Sequence, residues 1–365
     1  RVQLISMLPW AGSLKMLGLP TYRSIMRTDL TMIFDAILFD RSLYNPLFNF
    51  LSTLYLMLPR AKEAGKMLGM FNCGCGPVTT PTGKRMLKEI VDLMDFVTVR
   101  DKGSLEVLQD IGVSNPNIML TADAALNVVG APDSRAIAIL RELGIDHGEE
   151  ILGININKYM DTWAVAADPS INGGKSMGRE KFLSTYAQAL SSVAKQLNVR
   201  LLFVCTQHHD LDITEDLMRR LESGVKRSLI SNKNFSHYEL ISVFGKLDLL
   251  FSMRLHASIL ATSGLTPTIG LAFQPKNLHY FETLGMKEYM MYFNNFSVEG
   301  LVAHILKGWA ERHDMRKHLE KVLPALRLEA LKASELVAAL NRGEEVPTAI
   351  ANLNQLHTIA ETNGQ

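Results

Sequence analysis

Cysteine is scarce in this sequence. Cys73, Cys75 and Cys205 are the three cysteines among 365 residues, which is too few for a disulfide framework. A single residue separates Cys73 from Cys75, a spacing that is too tight for an ordinary half of a structural zinc site. Such a chain suits a reducing compartment, so we expect a cytoplasmic protein.

The sequence also lacks an excess of charge of either sign. Its 38 basic and 37 acidic residues leave a formal net charge of +1. This balance argues against a general nucleic-acid binder, and the basic residues form no strong blocks, so any anion site must be local. Hydrophobic residues at 47% and charged residues at 21% are typical of a globular protein.

No long hydrophobic run is free of interruptions. A long uncharged stretch, residues 42–59, approaches the length of a membrane span. It contains polar and helix-breaking residues, namely Asn45, Pro46, Asn49 and Ser52. We therefore expect a buried or interfacial helix there rather than a span. Peripheral contact at the inner face of a membrane stays an alternative, although few cations flank the stretch.

Several catalytic motifs are absent as well. The sequence has no P-loop, no zincin motif and no nucleophile elbow, which removes the reaction classes that depend on them. The adjacent His208 and His209 lie in a stretch rich in oxygen and nitrogen ligands. Neighbouring histidines rarely both bind one ion, so we expect no metal there.

What the sequence does contain is a regular alternation of short apolar runs with amphipathic helical patterns. This alternation is typical of parallel βαβ units, and the length predicts two domains. We expect an α/β protein with two Rossmann-like, doubly wound domains facing a cleft, and a helical C-terminus. The expected parts are a first domain over 1–130, a connector over 131–150, a second domain over 151–300, C-terminal helices over 301–342 and a loosely held polar tail over 343–365.

The apolar runs and periodicities place the expected elements. Strands are predicted at 30–34, 67–73, 96–100, 118–121, 151–156, 200–205, 247–251 and 268–271. Helices are predicted at 46–66, 83–94, 103–111, 180–197, 213–221, 237–244 and 257–262, with a short one in the connector. Ser236 and Glu239 form a capping box that introduces the helix over 237–244.

The most informative segment follows the apolar run at residues 247–251. Ser252, Arg254 and His256 come directly after it, where a strand gives way to a helix. Open α/β sheets bind ligands at this position. An arginine there can hold a carboxylate or phosphate bidentately, and a histidine can move a proton near neutral pH. The alternative is a surface arginine and a histidine that merely begins a helix.

Three further segments have glycines or charged side chains at the ends of predicted strands. Residues 73–77 contain glycines that let a backbone approach a ligand, or simply make a tight turn. Arg100 ends another strand, where the alternative is a surface pair with Asp101. Asp123 follows a third strand, where the alternative is a helix cap. Lys276 lies about one βα unit after His256, at the end of the next strand.

In this order, the segments resemble the polysaccharide pyruvyltransferase family over residues 29–284. The most specific parts are TVRDKGS with a following GV and TAD, and SMRLHA followed by G-x-x-P and Q-P-K. The resemblance implies two Rossmann-like domains facing a cleft, the arrangement called GT-B. It also implies phosphoenolpyruvate as donor and co-substrate, with no other cofactor. The implied acceptor is a sugar of a surface polysaccharide or of its lipid-linked precursor.

The resemblance also implies roles for particular residues. Arg254 and His256 match the family's R-x-H segment, which encloses Leu255, whereas Arg100 matches the arginine of its V-R-D segment and Lys276 matches a lysine after the next strand. All five are therefore expected to bind the donor. Arg254 and His256 are the expected catalytic residues, with His256 either a general acid/base or only a phosphate ligand.

The sequence departs from the family pattern in two places. No Gly-Asn-x-Gly-Asp loop is present, and the family's Gly-Gly pair is replaced by Asp35 and Ala36. We expect Asp35, Gln207 and Asp210 to contact the acceptor sugar, with a helix cap as the alternative for Asp212. Two other functions stay open: a different GT-B enzyme, such as a nucleotide-sugar glycosyltransferase or epimerase, and a non-catalytic relative.

Overall fold

A computed structural model of the chain describes residues 18–34, 37–38, 50–158, 177–272 and 275–363. The chain divides into two compact units. The first comprises Arg1–Ala124 and Leu328–Gln365, and the second comprises Ala125–Arg327. Each unit contains a parallel β-sheet with helices packed against it, so the expected α/β class is confirmed.

The first unit begins with alternating helices and strands. They are α1 (Gly18–Arg27), β1 (Leu30–Phe34), β2 (Ile37–Leu38), α2 (Phe50–Glu63), β3 (Met67–Cys75), α3 (Pro81–Leu93), β4 (Phe96–Val99), α4 (Lys102–Asp110) and β5 (Ile118–Leu120). Helix α3 begins earlier than expected because Pro81 suits a first helical turn and the Thr80 side chain accepts a hydrogen bond from the Gly83 amide.

The sheet of the first unit has the order β1-β3-β4-β5, with the short β2 paired to β3. All of these pairs are parallel. After its first residue, β3 is buried along its whole length, as expected for a parallel strand that is covered on both faces. Parallel pairing brings the carboxyl ends of the strands to one edge, where Arg100 and Asp123 follow β4 and β5.

The second unit repeats the alternation. Its elements are α5 (Asp133–Glu142), β6 (Ile151–Asn155), α6 (Arg179–Leu197), β7 (Arg200–Cys205), α7 (Leu211–Arg219), β8 (Arg227–Ser231), α8 (His237–Phe244), β9 (Leu249–Ser252), α9 (Leu255–Ser263), β10 (Thr268–Ala272), α10 (Pro275–Thr283), β11 (Met290–Tyr292) and α11 (Val298–Ala310). The predicted bounds of β7 and α8 coincide with the observed ones, and the capping box at Ser236 is confirmed.

The second sheet has the order β11-β10-β9-β6-β7-β8, with every pair parallel. From β6 the chain proceeds to β7 and β8 on one side, and it then returns to β9 on the other side of β6. Strand order therefore reverses between β6 and β9, and open α/β sheets bind ligands outside the carboxyl ends of the strands at such a point. Asn155 pairs with Ser252 there.

The expected connector over 131–150 belongs to the second unit instead. Helix α5 packs against α8, and its side chains Ala136 and Ile139 are buried in the same cluster as Val243 and Phe244. Burial of this apolar face is what joins the segment to the second sheet.

The chain ends in two long helices, α12 (Arg312–Asn341) and α13 (Val346–Asn363). The prediction of a loosely held polar tail after Gly343 was wrong, because Ala349, Ile350 and Leu353 of α13 are buried against Phe96 and Met119. These apolar residues recur at helical spacing, and their burial holds the helix on the first unit.

Within the part of the chain that the structure describes, no helix is both long enough and apolar enough to cross a membrane. Helix α2 covers the second half of the uncharged stretch at 42–59; residues 42–49 lie outside the described residues. Leu51, Leu54 and Leu58 of α2 are buried in the core of the first unit.

Candidate functional site

Arg254 lies at the switch point of the second sheet, as the N-cap residue of α9. Its backbone amide donates a hydrogen bond of 3.1 Å to Oδ1 of Asn155, a fully buried residue at the end of β6. The Asn155 side-chain amide in turn donates to the Val204 carbonyl of β7 at 2.8 Å. One asparagine thus ties the start of α9 to two neighbouring strands.

The Arg254 side chain is held by a carboxylate. Its Nε and Nη2 atoms donate hydrogen bonds of 2.7 Å each to the two oxygens of Asp210. The Asp210 side chain is 1% exposed and the Arg254 side chain 23% exposed. Among the residues that the structure describes, none accepts a hydrogen bond from Nη1 of Arg254, so this end of the guanidinium has donors for a ligand.

The contact with an acceptor sugar expected of Asp210 stays a prediction; in the structure its carboxylate contacts groups of the protein. Oδ1 accepts a second hydrogen bond, from the Lys158 amide at 2.9 Å, so both carboxylate oxygens are already in use. Asp210 is the N-cap residue of α7, but its side chain does not cap the helix. Asp212, two residues on, is exposed and pairs with Lys158 Nζ at 3.3 Å.

His256 and Lys276 occupy equivalent positions in successive βα units. His256 is the second residue of α9 and Lys276 the second residue of α10, and the strands that precede these helices, β9 and β10, are parallel neighbours. Both side chains are half-buried, whereas Leu255 beside His256 is buried. Helix N-termini favour anions because their first amides are unpaired. The arrangement therefore suits a phosphate or carboxylate.

Asn277 is a residue of this edge that the sequence reasoning missed. It follows Lys276, is 1% exposed, and donates a hydrogen bond of 2.9 Å from Nδ2 to the Met253 carbonyl. Its Oδ1 atom is buried without a hydrogen-bond partner among the residues that the structure describes. The contact joins the first turn of α10 to the residue before Arg254. The sequence feature that could have pointed to Asn277 is its position as a polar residue directly after the lysine of Q-P-K.

In the first unit, Arg100 forms a buried ion pair. Its Nη1 atom lies 3.1 Å from Oδ2 of Asp123, and Arg100 as a whole is 4% exposed. Asp101 caps α4 by accepting a hydrogen bond from the Ser104 amide at 2.7 Å. Arg100 is therefore not the surface residue that the alternative interpretation described, and Asp123, for which a helix cap was the alternative, pairs with Arg100.

A buried polar network lies beside this pair. The Asn72 amide donates to Thr98 Oγ1 at 2.8 Å, and Asn72 Oδ1 accepts from Thr121 Oγ1 at 2.8 Å. Asn72 has a φ of 51°, a left-handed conformation that asparagine tolerates better than most residues. The sequence reasoning missed Asn72 because it stands inside a strand pattern.

The remaining predicted residues stand apart from these networks. Gln207 is exposed after β7, where its carbonyl accepts a hydrogen bond from the Cys205 thiol. Burial, followed by the charge of Asp210, raises the pKa of Cys205 to about 11, so this thiol is neutral at pH 7. Asp35 lies outside the described residues. No group of three potential metal ligands occurs in the described ranges.

Each unit has a parallel sheet with helices packed against it, so the fold class is Rossmann-like α/β and GT-B-like. The sequence profile of the family Polysaccharide pyruvyl transferase matches residues 22–275, more than half of the chain. The chain belongs to this family, which is a family of transferases. No curated protein sequence matches the chain significantly.

Solved structures share the fold at low sequence identity. S. aureus MnaA with UDP has a TM-score of 0.61 and 10% identity, covering 91% of this chain and 82% of that one. Anabaena HepE with UDP and glucose has a TM-score of 0.54 and 14% identity, covering 98% and 84%. UDP-GlcNAc 2-epimerase from Neisseria meningitidis has a TM-score of 0.53 and 10% identity, covering 92% and 84%. These similarities show the fold alone.

Proposed function

We propose that this chain transfers the enolpyruvyl group of phosphoenolpyruvate to a sugar of a surface polysaccharide or its lipid-linked precursor, forming a pyruvyl ketal. The observation that carries the proposal is the arrangement at the switch point. There Arg254 is held in place, and His256 and Lys276 lie in the first turns of two neighbouring helices. Membership of the family supports this type of reaction.

The donor carries a carboxylate and a phosphate on three carbons. In the proposed complex, Nη1 of Arg254, the Lys276 ammonium and the first amides of α9 and α10 neutralise this charge. Leu255, between Arg254 and His256, contributes buried apolar surface at the start of α9. The assignment of Arg100 to the donor stays a prediction from the resemblance.

The reaction must add one proton and remove two. A proton added to C3 of the enol allows one sugar hydroxyl to bond to C2 and lose its proton. A second hydroxyl then bonds to C2 and loses its proton as the C2–O bond to phosphate breaks, and the phosphate leaves. We assign the proton transfers to His256, because imidazole exchanges protons near neutral pH and general acid–base catalysis typically contributes about 10²–10⁴-fold.

A binding experiment tests the donor assignment. We expect phosphoenolpyruvate to raise the melting temperature of the purified chain in a dose-dependent manner, because a ligand that binds the folded state stabilises it. UDP-glucose and UDP-GlcNAc, tested at equal concentrations, serve as the comparison because the structurally similar proteins include complexes with UDP sugars. Stabilisation by a UDP sugar without stabilisation by phosphoenolpyruvate would refute the proposal and favour a nucleotide-sugar enzyme.

A further inference from the structure

We infer that Asp210 is a positioning residue for the anionic donor and acts through Arg254 rather than on the acceptor sugar. This inference rests on the proposed function, since it assumes that Arg254 binds the donor. The observation is the two-point contact at 2.7 Å between the Asp210 carboxylate and the Nε and Nη2 atoms of Arg254.

The geometry explains why Asp210 can fix the direction of Arg254. A planar guanidinium that shares two parallel hydrogen bonds with a carboxylate cannot rotate about its long side chain without breaking one of them. Asp210 is itself immobilised. Its side chain is 1% exposed, its Oδ1 accepts from the Lys158 amide, and its own carbonyl accepts from Thr214 Oγ1 at 2.6 Å.

The Arg254 main chain is fixed independently by Asn155. Both ends of the Arg254 residue, its backbone and its guanidinium, are therefore anchored to buried groups of the second unit. Within the described ranges, the part left without such an anchor is Nη1. Preorganised donors bind a ligand more tightly because their side-chain entropy has been lost before binding.

Charge and orientation predict opposite effects for the loss of Asp210. The carboxylate offsets the positive charge of Arg254, so charge alone predicts that its removal strengthens the binding of an anion. Orientation predicts that its removal weakens binding, because Arg254 then samples other rotamers. The sign of the change separates the two explanations.

The test compares four full-length proteins: wild type, Asp210→Asn, Arg254→Lys and the double variant. Binding of phosphoenolpyruvate, and of inorganic phosphate as a second probe, is measured by calorimetric titration. We expect D210N to raise the Kd for phosphoenolpyruvate about tenfold, equivalent to about 1.4 kcal/mol. A lysine at position 254 cannot form the two-point contact, so D210N should change the Kd less than about twofold in the R254K background.

Asp212→Asn is the matched control, since it removes an exposed carboxylate from the same segment. We expect its Kd for phosphoenolpyruvate to equal that of the wild type. Circular dichroism and the melting temperature of each variant report any loss of folding. If D210N is too unstable to purify, Asp210→Glu displaces the carboxylate while keeping its charge, and it should also weaken binding.

Each outcome decides a different question. Tighter or unchanged binding of phosphoenolpyruvate by D210N overturns the inference, as does an equal loss in both backgrounds, which would indicate a general structural role. If the wild type binds inorganic phosphate with this dependence on Asp210 but does not bind phosphoenolpyruvate, the proposed function fails while the positioning role stands. Binding of neither probe refutes both.

Discussion

At the scale of single residues, the surroundings of each charged side chain depend on the residue that it pairs with. Arg254 and Arg100 both follow strands, yet the Arg254 side chain is partly exposed beside Asp210 whereas Arg100 is buried against Asp123. His256 differs from both because it begins a helix on the anion-suited edge. Arg254, His256 and Lys276, the three residues expected to contact the donor, therefore all lie at one edge of the sheet of the second unit.

Replacement of His256 by alanine should reduce turnover strongly while leaving the fold intact. We expect a loss of about 10²–10⁴-fold in kcat because the proton transfers lose their catalyst. The measurement is phosphate release from phosphoenolpyruvate with a panel of sugar acceptors. His147→Ala, at an exposed position, is the control. A higher KM for phosphoenolpyruvate with an unchanged kcat would instead identify His256 as a phosphate ligand.

At the scale of elements, two helices carry features that simple pattern reading did not reveal. Helix α13 covers part of the first sheet, and α11 packs His304 of the second unit against Phe251. The packing of α13 should affect the stability of the first unit, and the burial of His304 should affect the stability of the second unit. Each can therefore be tested separately.

Truncation of Leu353 tests the role of α13. Leu353 is buried beside Ile350 and Phe96, so Leu353→Ala should lower the free energy of unfolding by about 2–5 kcal/mol. Gln355→Ala, at an exposed position of the same helix, should have little effect. Urea denaturation followed by circular dichroism measures both. Equal stability of the two variants would show that α13 is not needed for the core.

His304 should make stability depend on pH. Burial, with a smaller contribution from the charge of Lys307, lowers the pKa of His304 from 6.5 to about 4. Between these pH values the unfolded chain binds the proton and the folded chain does not, so stability falls as the pH decreases from 6.5 towards 4. The loss from this group is up to about 3 kcal/mol.

The variant His304→Gln has no titrating group at this position, so its free energy of unfolding should lose this part of the pH dependence. The comparison is the difference between the wild type and the variant at each pH, which cancels the contribution of the carboxylates. Exposed His147→Gln should retain the wild-type slope. Parallel curves for the wild type and H304Q between pH 6.5 and 4 would contradict the expected burial of a neutral imidazole.

At the scale of the whole molecule, the chain builds two units, each with its own buried clusters. The helical C-terminus contributes to both, since Leu328–Gln365 belongs to the first unit and Ala125–Arg327 to the second. Units with separate cores can unfold in separate steps.

Calorimetry should therefore resolve the units and report where the donor binds. At a phosphoenolpyruvate concentration of 100 times Kd, we expect about 2.7 kcal/mol of stabilisation in the transition of the second unit. Leu353→Ala should lower the other transition. A donor-induced shift in both transitions would support the predicted contact of Arg100 with the donor. A shift only in the transition that L353A lowers would contradict the assignment to Arg254, His256 and Lys276.

The sequence by itself determined the α/β class, the order of most elements and the family. These properties follow from local signals: apolar runs, the capping box at Ser236, and polar residues where strands end. Strand β8 and helix α10 gave signals too weak to predict, and the apolar stripe of α13, although present at helical spacing, was taken for a polar tail.

Only the tertiary structure decided which polar residues meet. Asp210 and Arg254 lie 44 positions apart in the chain, and Arg100 and Asp123 follow different strands, so no local pattern pairs them. Parallel sheets bring the ends of sequence-distant strands to one edge, and burial then requires each charge there to find a partner. For this reason the sequence located the candidate residues, and the folded chain determined their partners.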